Sequence, residues 1–142
     1  MMATTGPETA PRPHILVVDD EEATRLLLAR ILTAALEVEI TLAGTCEQAL
    51  RLAGSNAYAA ILLDLMMPGI GGFGVLKQLR ANSPNAATPI IVVSVLSEPD
   101  TIARCMAAGA STYLLKPVER NTLIAAVTAR IAARSRPAAA AD

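Results

Sequence analysis

Short runs of Val, Ile and Leu alternate along this 142-residue sequence with longer stretches in which apolar residues recur at helical spacing. The short runs predict β-strands, and the stretches that follow them predict α-helices. Five strands are predicted in this way: His14 to Asp19, Val38 to Ala43, Ala59 to Asp64, Pro89 to Ser94 and Thr112 to Leu115. A regular alternation of strand and helix favours an α/β fold in which helices cover a parallel sheet.

The apolar residues of the intervening stretches mark one side of each predicted helix. Thr45 and Gln48 form a Thr-x-x-Gln capping box at the start of the second helix. The apolar stripes comprise Leu26, Leu27, Ile31 and Leu32 in the first helix, Cys46, Ala49, Leu50 and Ala53 in the second, Phe73, Leu76 and Leu79 in the third, Ile102, Cys105 and Met106 in the fourth, and Leu123, Ile124, Val127 and Ile131 in the fifth. Because both cysteines fall on such stripes, we expect buried, reduced thiols without a redox or metal role.

Composition argues against several classes of function. Twelve basic and thirteen acidic residues give a net charge of −1, and two Tyr, one Phe and no Trp offer few stacking surfaces, so nucleic-acid binding is not expected. No apolar segment is long enough to span a membrane, and no secretory signal is visible at the N-terminus, so we expect a cytoplasmic protein. Residues 1–13 and 135–142 contain proline among small residues, which predicts flexible tails or a linker around a folded domain at 14–134.

Polar side chains stand at the carboxyl ends of four predicted strands. Asp19 and Asp20 end the first strand, Asp64 the third and Ser94 the fourth, while Lys116 follows the fifth. The carboxyl ends of parallel strands lie along one edge of a sheet, where open α/β sheets bind their ligands. Three carboxylates gathered there repel one another unless a cation joins them, and magnesium favours oxygen ligands and phosphate groups. The pattern predicts a magnesium site at which Asp64 attacks phosphorus, with Lys116 and Ser94 contacting the phosphoryl oxygens.

Four segments resemble the signature segments of response-regulator receiver domains: Ile15 to Glu21, Leu63 to Gly69, Ile91 to Ser94 and Tyr113 to Pro117. The resemblance covers roughly 120 residues in the expected order. It implies a flavodoxin-like (βα)5 fold with a doubly wound sheet in the order 2-1-3-4-5. It also implies that Asp64 is phosphorylated by a phosphohistidine of a histidine kinase or phosphotransfer protein, or by a small phosphodonor.

The resemblance further implies how the metal is held. Asp20 and Asp64 would bind magnesium directly, Asp19 mainly through water, and the backbone carbonyl of Met66 would supply another ligand. Manganese can substitute for magnesium in such a site. The domain would be a phosphoprotein of a two-component system or phosphorelay, with no catalysis beyond its own phosphorylation and dephosphorylation.

A switch is also implied by the resemblance. Ser94 and Tyr113 would move together on phosphorylation and change the surface formed by the fourth helix, fifth strand and fifth helix. A cis peptide bond between Lys116 and Pro117 would orient the lysine side chain toward the site. The changed surface would bind a downstream protein or an attached output domain, or form a weak dimer of an otherwise monomeric protein.

Some residues depart from the family pattern and leave alternatives open. Val95 stands where the family usually has a small residue and could narrow access to Asp64, so a phosphorylation-independent interaction module remains an alternative. Gly71 stands where the family often has Asp. Residues 69–74 fit a dinucleotide-binding G-x-G-x-x-G motif, but they follow the third strand and not the first. A hydrolase of external phosphate esters would normally have a second Asp at the place of Met66. The chain could be free-standing or a receiver from a larger hybrid kinase or cyclase.

Overall fold

A computed structural model describes residues 11–134 and contains the parallel sheet that the sequence predicts. Its strands are β1 (His14–Val18), β2 (Glu39–Ala43), β3 (Ala60–Leu63), β4 (Ile90–Ser94) and β5 (Thr112–Leu115). They are ordered β2-β1-β3-β4-β5, and every neighbouring pair is parallel. This order confirms the doubly wound, flavodoxin-like fold. The predicted tails lie outside the described residues, apart from residues 11–13.

Within residues 11–134, five helices connect and follow the strands: α1 (Glu22–Ala35), α2 (Cys46–Ser55), α3 (Gly71–Ala81), α4 (Pro99–Ala108) and α5 (Arg120–Arg134). The Thr45 side chain caps α2 by accepting a hydrogen bond from the Gln48 N–H at 3.0 Å. The Gln48 side chain in turn accepts from the Gly44 N–H at 2.9 Å, one residue earlier than in the standard capping box. None of the helices within residues 11–134 is both long and apolar enough to cross a bilayer.

The sheet separates two apolar cores, because successive strand residues point to opposite faces. Leu16, Val18, Ile61 and Leu63 face one core with α2 and α3, whereas their neighbours Ile15, Val17 and Leu62 face the other with α1 and α5. All of these residues are at most 1% exposed. At about 1.5 to 3 kcal/mol for each fully buried Val, Leu or Ile, this packing fixes the central strands and the loops that leave their carboxyl ends.

The predicted inner stripe of α1 is wrong at two positions. Leu28 and Leu32 are buried, whereas Leu26 is 46% exposed and Leu27 is 56% exposed. Residues four apart share one helix face, while residues one or two positions before Leu28 turn 100 to 200° away from it. The packed turn therefore begins at Leu28, and the two preceding leucines face outward.

The two cysteines are buried as predicted, but Met106, beside Cys105 on α4, is not. Cys46 and Cys105 are free and buried. Met106 is 42% exposed, because it adjoins Cys105 in sequence and so points away from the face that Cys105 buries. The positive φ of Gly109, +117°, ends α4 at the C-cap.

Candidate functional site

Three carboxylates meet where β1 and β3 end. One carboxylate oxygen from each of Asp19, Asp20 and Asp64 lies within 4.8 Å of the others. They converge because β1 and β3 are neighbours, with Val18 paired to Leu63, so the residues after these two leave the sheet at the same edge. Asp19 is 1% exposed and Asp64 is 5% exposed, whereas Asp20 faces solvent.

Lys116 brings a positive charge to this cluster from β5. Its Nζ lies 2.8 Å from Asp19 Oδ2 and 3.4 Å from Asp64 Oδ2. Its backbone N–H donates to the Ser94 carbonyl at 2.8 Å, and the peptide bond between Lys116 and Pro117 is cis. Burial acts to lower the pKa of Lys116, but the hydrogen bond to Asp19 and the negative charges of Asp64 and Asp19 together raise it. Lys116 is therefore a charged ammonium that neutralises part of the cluster.

The Asp64 carboxylate is held by the loop that follows it. Its Oδ1 accepts a hydrogen bond from the Met66 N–H at 3.2 Å. Burial raises the pKa of Asp64, helped by the charge of Asp19, and outweighs the lowering effects of the Met66 N–H and of Lys116. Together these contacts leave a buried carboxylate whose charge is only partly compensated.

The start of α3 lies directly against the Asp64 backbone. A Cβ added to Gly72 would lie 2.0 Å from the Asp64 carbonyl oxygen, so only glycine fits there. Gly69 and Gly71 have φ of +88° and +76°, a backbone conformation that glycine adopts readily. These backbone requirements explain the glycines of this segment, so a dinucleotide-binding role is not needed to explain them.

Asp19 is fixed by contacts on every polar group. Its N–H donates to the Ala43 carbonyl at 3.1 Å, and its Oδ1 accepts from the Glu21 N–H at 2.9 Å. Its carbonyl oxygen accepts from Arg25 Nη1 at 2.7 Å. Arg25 was not predicted from the sequence, because its contact with Asp19 depends on how α1 packs beside the loop after β2.

Ser94 and Tyr113 both bind Leu96, in the loop after β4. The fully buried Ser94 Oγ accepts from the Leu96 N–H at 3.1 Å. The half-buried Tyr113 hydroxyl donates to the Leu96 carbonyl at 2.6 Å. One residue of this loop therefore connects the serine at the site to the aromatic ring on β5.

Val95 is 56% exposed, whereas the adjoining Ser94 is fully buried. Val95 lies with Leu27, Pro117 and Val118 along an apolar groove of about 270 Å³ that also touches Lys116. That Val95 narrows access to Asp64 stays a prediction.

The donor set suits a magnesium ion. The three side chains offer only carboxylate oxygens, the ligands that hard divalent cations prefer. Two of these side chains are almost fully buried, where negative charge is hardest to tolerate without a cation. A cation bound among them, next to a lysine, is an arrangement that can stabilise a phosphoryl group.

Comparison with known proteins identifies the family of this chain. The family model of the response regulator receiver domain matches residues 15–128. The sensory/regulatory protein RpfC of Xanthomonas campestris pv. campestris is 38% identical over 113 residues, which are 78% of this chain but only 15% of RpfC. This chain thus spans about 15% of the length of that relative.

Solved receiver domains have the same architecture. The Francisella response regulator 1452 receiver domain gives a TM-score of 0.81 at 29% identity, covering 87% of this chain and all of the other. The receiver domain of the sensor histidine kinase PA1611 from Pseudomonas aeruginosa, solved with a magnesium ion in its active-site cleft, gives 0.78 at 27% identity, covering 85% and 98%. The chain belongs to the response regulator receiver domains, the signalling domains of two-component systems.

Proposed function

We propose that this receiver domain accepts a phosphoryl group on Asp64 from a phosphohistidine of a histidine kinase or phosphotransfer protein, in a magnesium-dependent reaction. The observation that carries the proposal is the burial of the Asp64 carboxylate beside two further acids and Lys116. A carboxylate buried with incomplete charge compensation destabilises the fold, and such groups cluster at functional sites.

The transfer exchanges one bond at phosphorus. A carboxylate oxygen of Asp64 attacks the phosphorus atom, a P–O bond forms as the P–N bond breaks, and the electron pair of that bond stays on the imidazole nitrogen. Lys116, which contacts Asp64 at 3.4 Å, pairs with one phosphoryl oxygen, and the Ser94 hydroxyl donates to another. Attack of water on phosphorus later releases inorganic phosphate and restores the carboxylate.

Magnesium, or manganese in its place, would be held by Asp20 and Asp64 directly, by Asp19 through water and by the Met66 carbonyl. When bound, it supplies positive charge that offsets the carboxylates and the phosphoryl oxygens. The all-oxygen donor set of this chain and the magnesium ion of the PA1611 receiver support the assignment.

Phosphorylation is proposed to act through the surface of α4, β5 and α5. Ser94 and Tyr113 both form hydrogen bonds with Leu96. When the Ser94 hydroxyl turns toward a phosphoryl oxygen, it gives up its hydrogen bond from the Leu96 N–H. The hydrogen bond from the Tyr113 hydroxyl to the Leu96 carbonyl is then weakened as well. Met106 on α4 and Leu115 on β5 are 42% and 46% exposed, which gives this surface apolar residues for a partner or a weak dimer.

The proposed partner that binds this surface is a downstream cytoplasmic protein or an output domain of the same polypeptide. The alignment with RpfC, of which this chain matches 15%, indicates that related receivers occur within much longer chains. A receiver from a larger hybrid kinase is therefore included in the proposal.

Intact mass spectrometry after incubation with acetyl phosphate tests the proposal. With magnesium, the wild-type protein should gain one phosphoryl group, and without magnesium it should not. Asp64→Asn should abolish the adduct, while Asp100→Asn, which changes an exposed aspartate on α4, should leave it unchanged. An adduct that persists in Asp64→Asn would refute the assignment of the acceptor. No adduct in the wild type would favour the phosphorylation-independent interaction module.

A further inference from the structure

We infer that Arg25 is a positioning residue that sets the orientation of Asp20 in the acidic cluster. The inference rests on the proposed magnesium-dependent function. Its structural basis is the hydrogen bond from Arg25 Nη1 on α1 to the backbone carbonyl of Asp19, at 2.7 Å. The donor is a charged guanidinium, and such bonds are roughly twice as strong as those between neutral groups.

The contact acts on Asp20 through the peptide bond between residues 19 and 20. A peptide unit is planar, so the carbonyl of Asp19, the N–H of Asp20 and the Asp20 Cα lie in one plane. Holding that carbonyl therefore fixes the position of the Asp20 Cα, from which the side chain projects into the cluster.

Asp20 depends on this backbone support more than its neighbours do. The side chains of Asp19 and Asp64 both accept hydrogen bonds from backbone N–H groups and pair with Lys116. Within residues 11–134, no hydrogen bond reaches the exposed Asp20 carboxylate. Its position in the cluster is thus set by its backbone.

Gly44 provides the space that the guanidinium occupies. A Cβ added to Gly44 would lie 2.7 Å from Arg25 Nη1 and 3.1 Å from Arg25 Cζ. The loop after β2 is therefore shaped to place the arginine between Gly44 and the Asp19 carbonyl. Since the guanidinium ends a flexible side chain, an alanine at this position pushes it aside with little strain on the fold.

Gly44→Ala consequently removes the contact while it keeps the charge of Arg25. Arg25→Met removes the donor and keeps an apolar stem of similar length. Gly54→Ala is the matched control, because a Cβ there meets no atom within 4 Å. The measurements are the Mg²⁺ dissociation constant by titration calorimetry, the melting temperature in EDTA and the ¹⁵N amide resonance of Asp20 in magnesium-free protein.

Loss of a group that orients a metal ligand weakens metal affinity by roughly 10- to 100-fold, and we expect about tenfold in Gly44→Ala and Arg25→Met. The double variant should bind no more weakly than Arg25→Met alone, because both changes break the same contact. The Asp20 amide resonance should shift in Gly44→Ala but not in Gly54→Ala, while the two variants melt at similar temperatures in EDTA.

Mg²⁺ affinity in Gly44→Ala equal to that of Gly54→Ala would overturn the role of Arg25, and this comparison decides the matter if Arg25→Met does not fold. A wild-type protein without Mg²⁺ affinity would overturn the proposed metal site together with this role. Failure of the positioning role alone is thus distinguished from failure of the proposed function.

Discussion

Replacing Lys116 with methionine tests whether its ammonium makes the buried carboxylates tolerable. Lys116 Nζ lies 2.8 Å from Asp19 and 3.4 Å from Asp64, and the side chains of these acids are only 2% and 6% exposed. Methionine keeps most of the length of the side chain and removes its charge. In magnesium-free buffer, two almost fully buried carboxylates would then face each other without this cation.

The expected loss of stability follows from these distances and exposures. At an effective dielectric constant of about 20, the two attractions amount to about 6 and about 5 kcal/mol, most of which is offset by the cost of removing the charges from water. Removing one partner of a buried pair typically lowers the unfolding free energy by about 3 to 5 kcal/mol. The Lys116 side chain is 18% exposed, which favours the lower value. We expect a loss of about 3 kcal/mol, or roughly 10 °C in melting temperature.

Urea unfolding in EDTA, followed by far-ultraviolet circular dichroism, measures this loss. Lys77→Met is the matched control, because Lys77 is exposed and lies 5.6 Å from the centre of the Phe73 ring, so its removal should lower stability by less than about 1 kcal/mol. Adding Asp64→Asn to Lys116→Met should restore part of the stability, since one uncompensated charge is removed. If Lys116→Met were no less stable than Lys77→Met, the Lys116 ammonium would not be what makes the buried carboxylates tolerable.

Three further changes test other parts of the site. Asp20→Asn should abolish the Mg²⁺-induced rise in melting temperature, as measured by scanning fluorimetry; an undiminished rise would exclude Asp20 as a ligand. Tyr113→Phe removes the donor to Leu96 and should lower the unfolding free energy by about 1 kcal/mol. It should also reduce the change in hydrogen exchange of α4 on phosphorylation, and an unaltered change would argue against the switch. Gly72→Ala places a Cβ 2.0 Å from the Asp64 carbonyl oxygen and should destabilise the fold by about 3 kcal/mol in urea, so wild-type stability would contradict that close approach.

The sequence predicts the fold because two independent patterns agree. The apolar runs place all five strands within one residue of their observed bounds, from β1 at His14 to β5 at Leu115. The polar residues that follow these runs must share an edge once the strands are parallel. Asp19, Asp20 and Asp64 converge for that reason, although the last two are 44 positions apart in sequence.

Side-chain orientation and contacts between loops were not predictable in the same way. Leu26 and Leu27 satisfy a helical stripe as well as Leu28 does, and only packing against the sheet selects Leu28. The contact of Arg25 with the Asp19 carbonyl depends on space left by Gly44, a residue from another loop. Such a contact has no signature in local periodicity, because it requires the relative position of α1 and the loop after β2.

Mapping the phosphoryl group to a residue shows whether Asp64 is the acceptor. After reaction with a phosphodonor and Mg²⁺, borohydride reduces an aspartyl phosphate to homoserine, which peptide mass spectrometry locates in the chain. We expect homoserine at position 64 alone, and none when Mg²⁺ is withheld. Homoserine at another aspartate, or a phosphorylated protein in which Asp64 is recovered unchanged, would contradict this assignment.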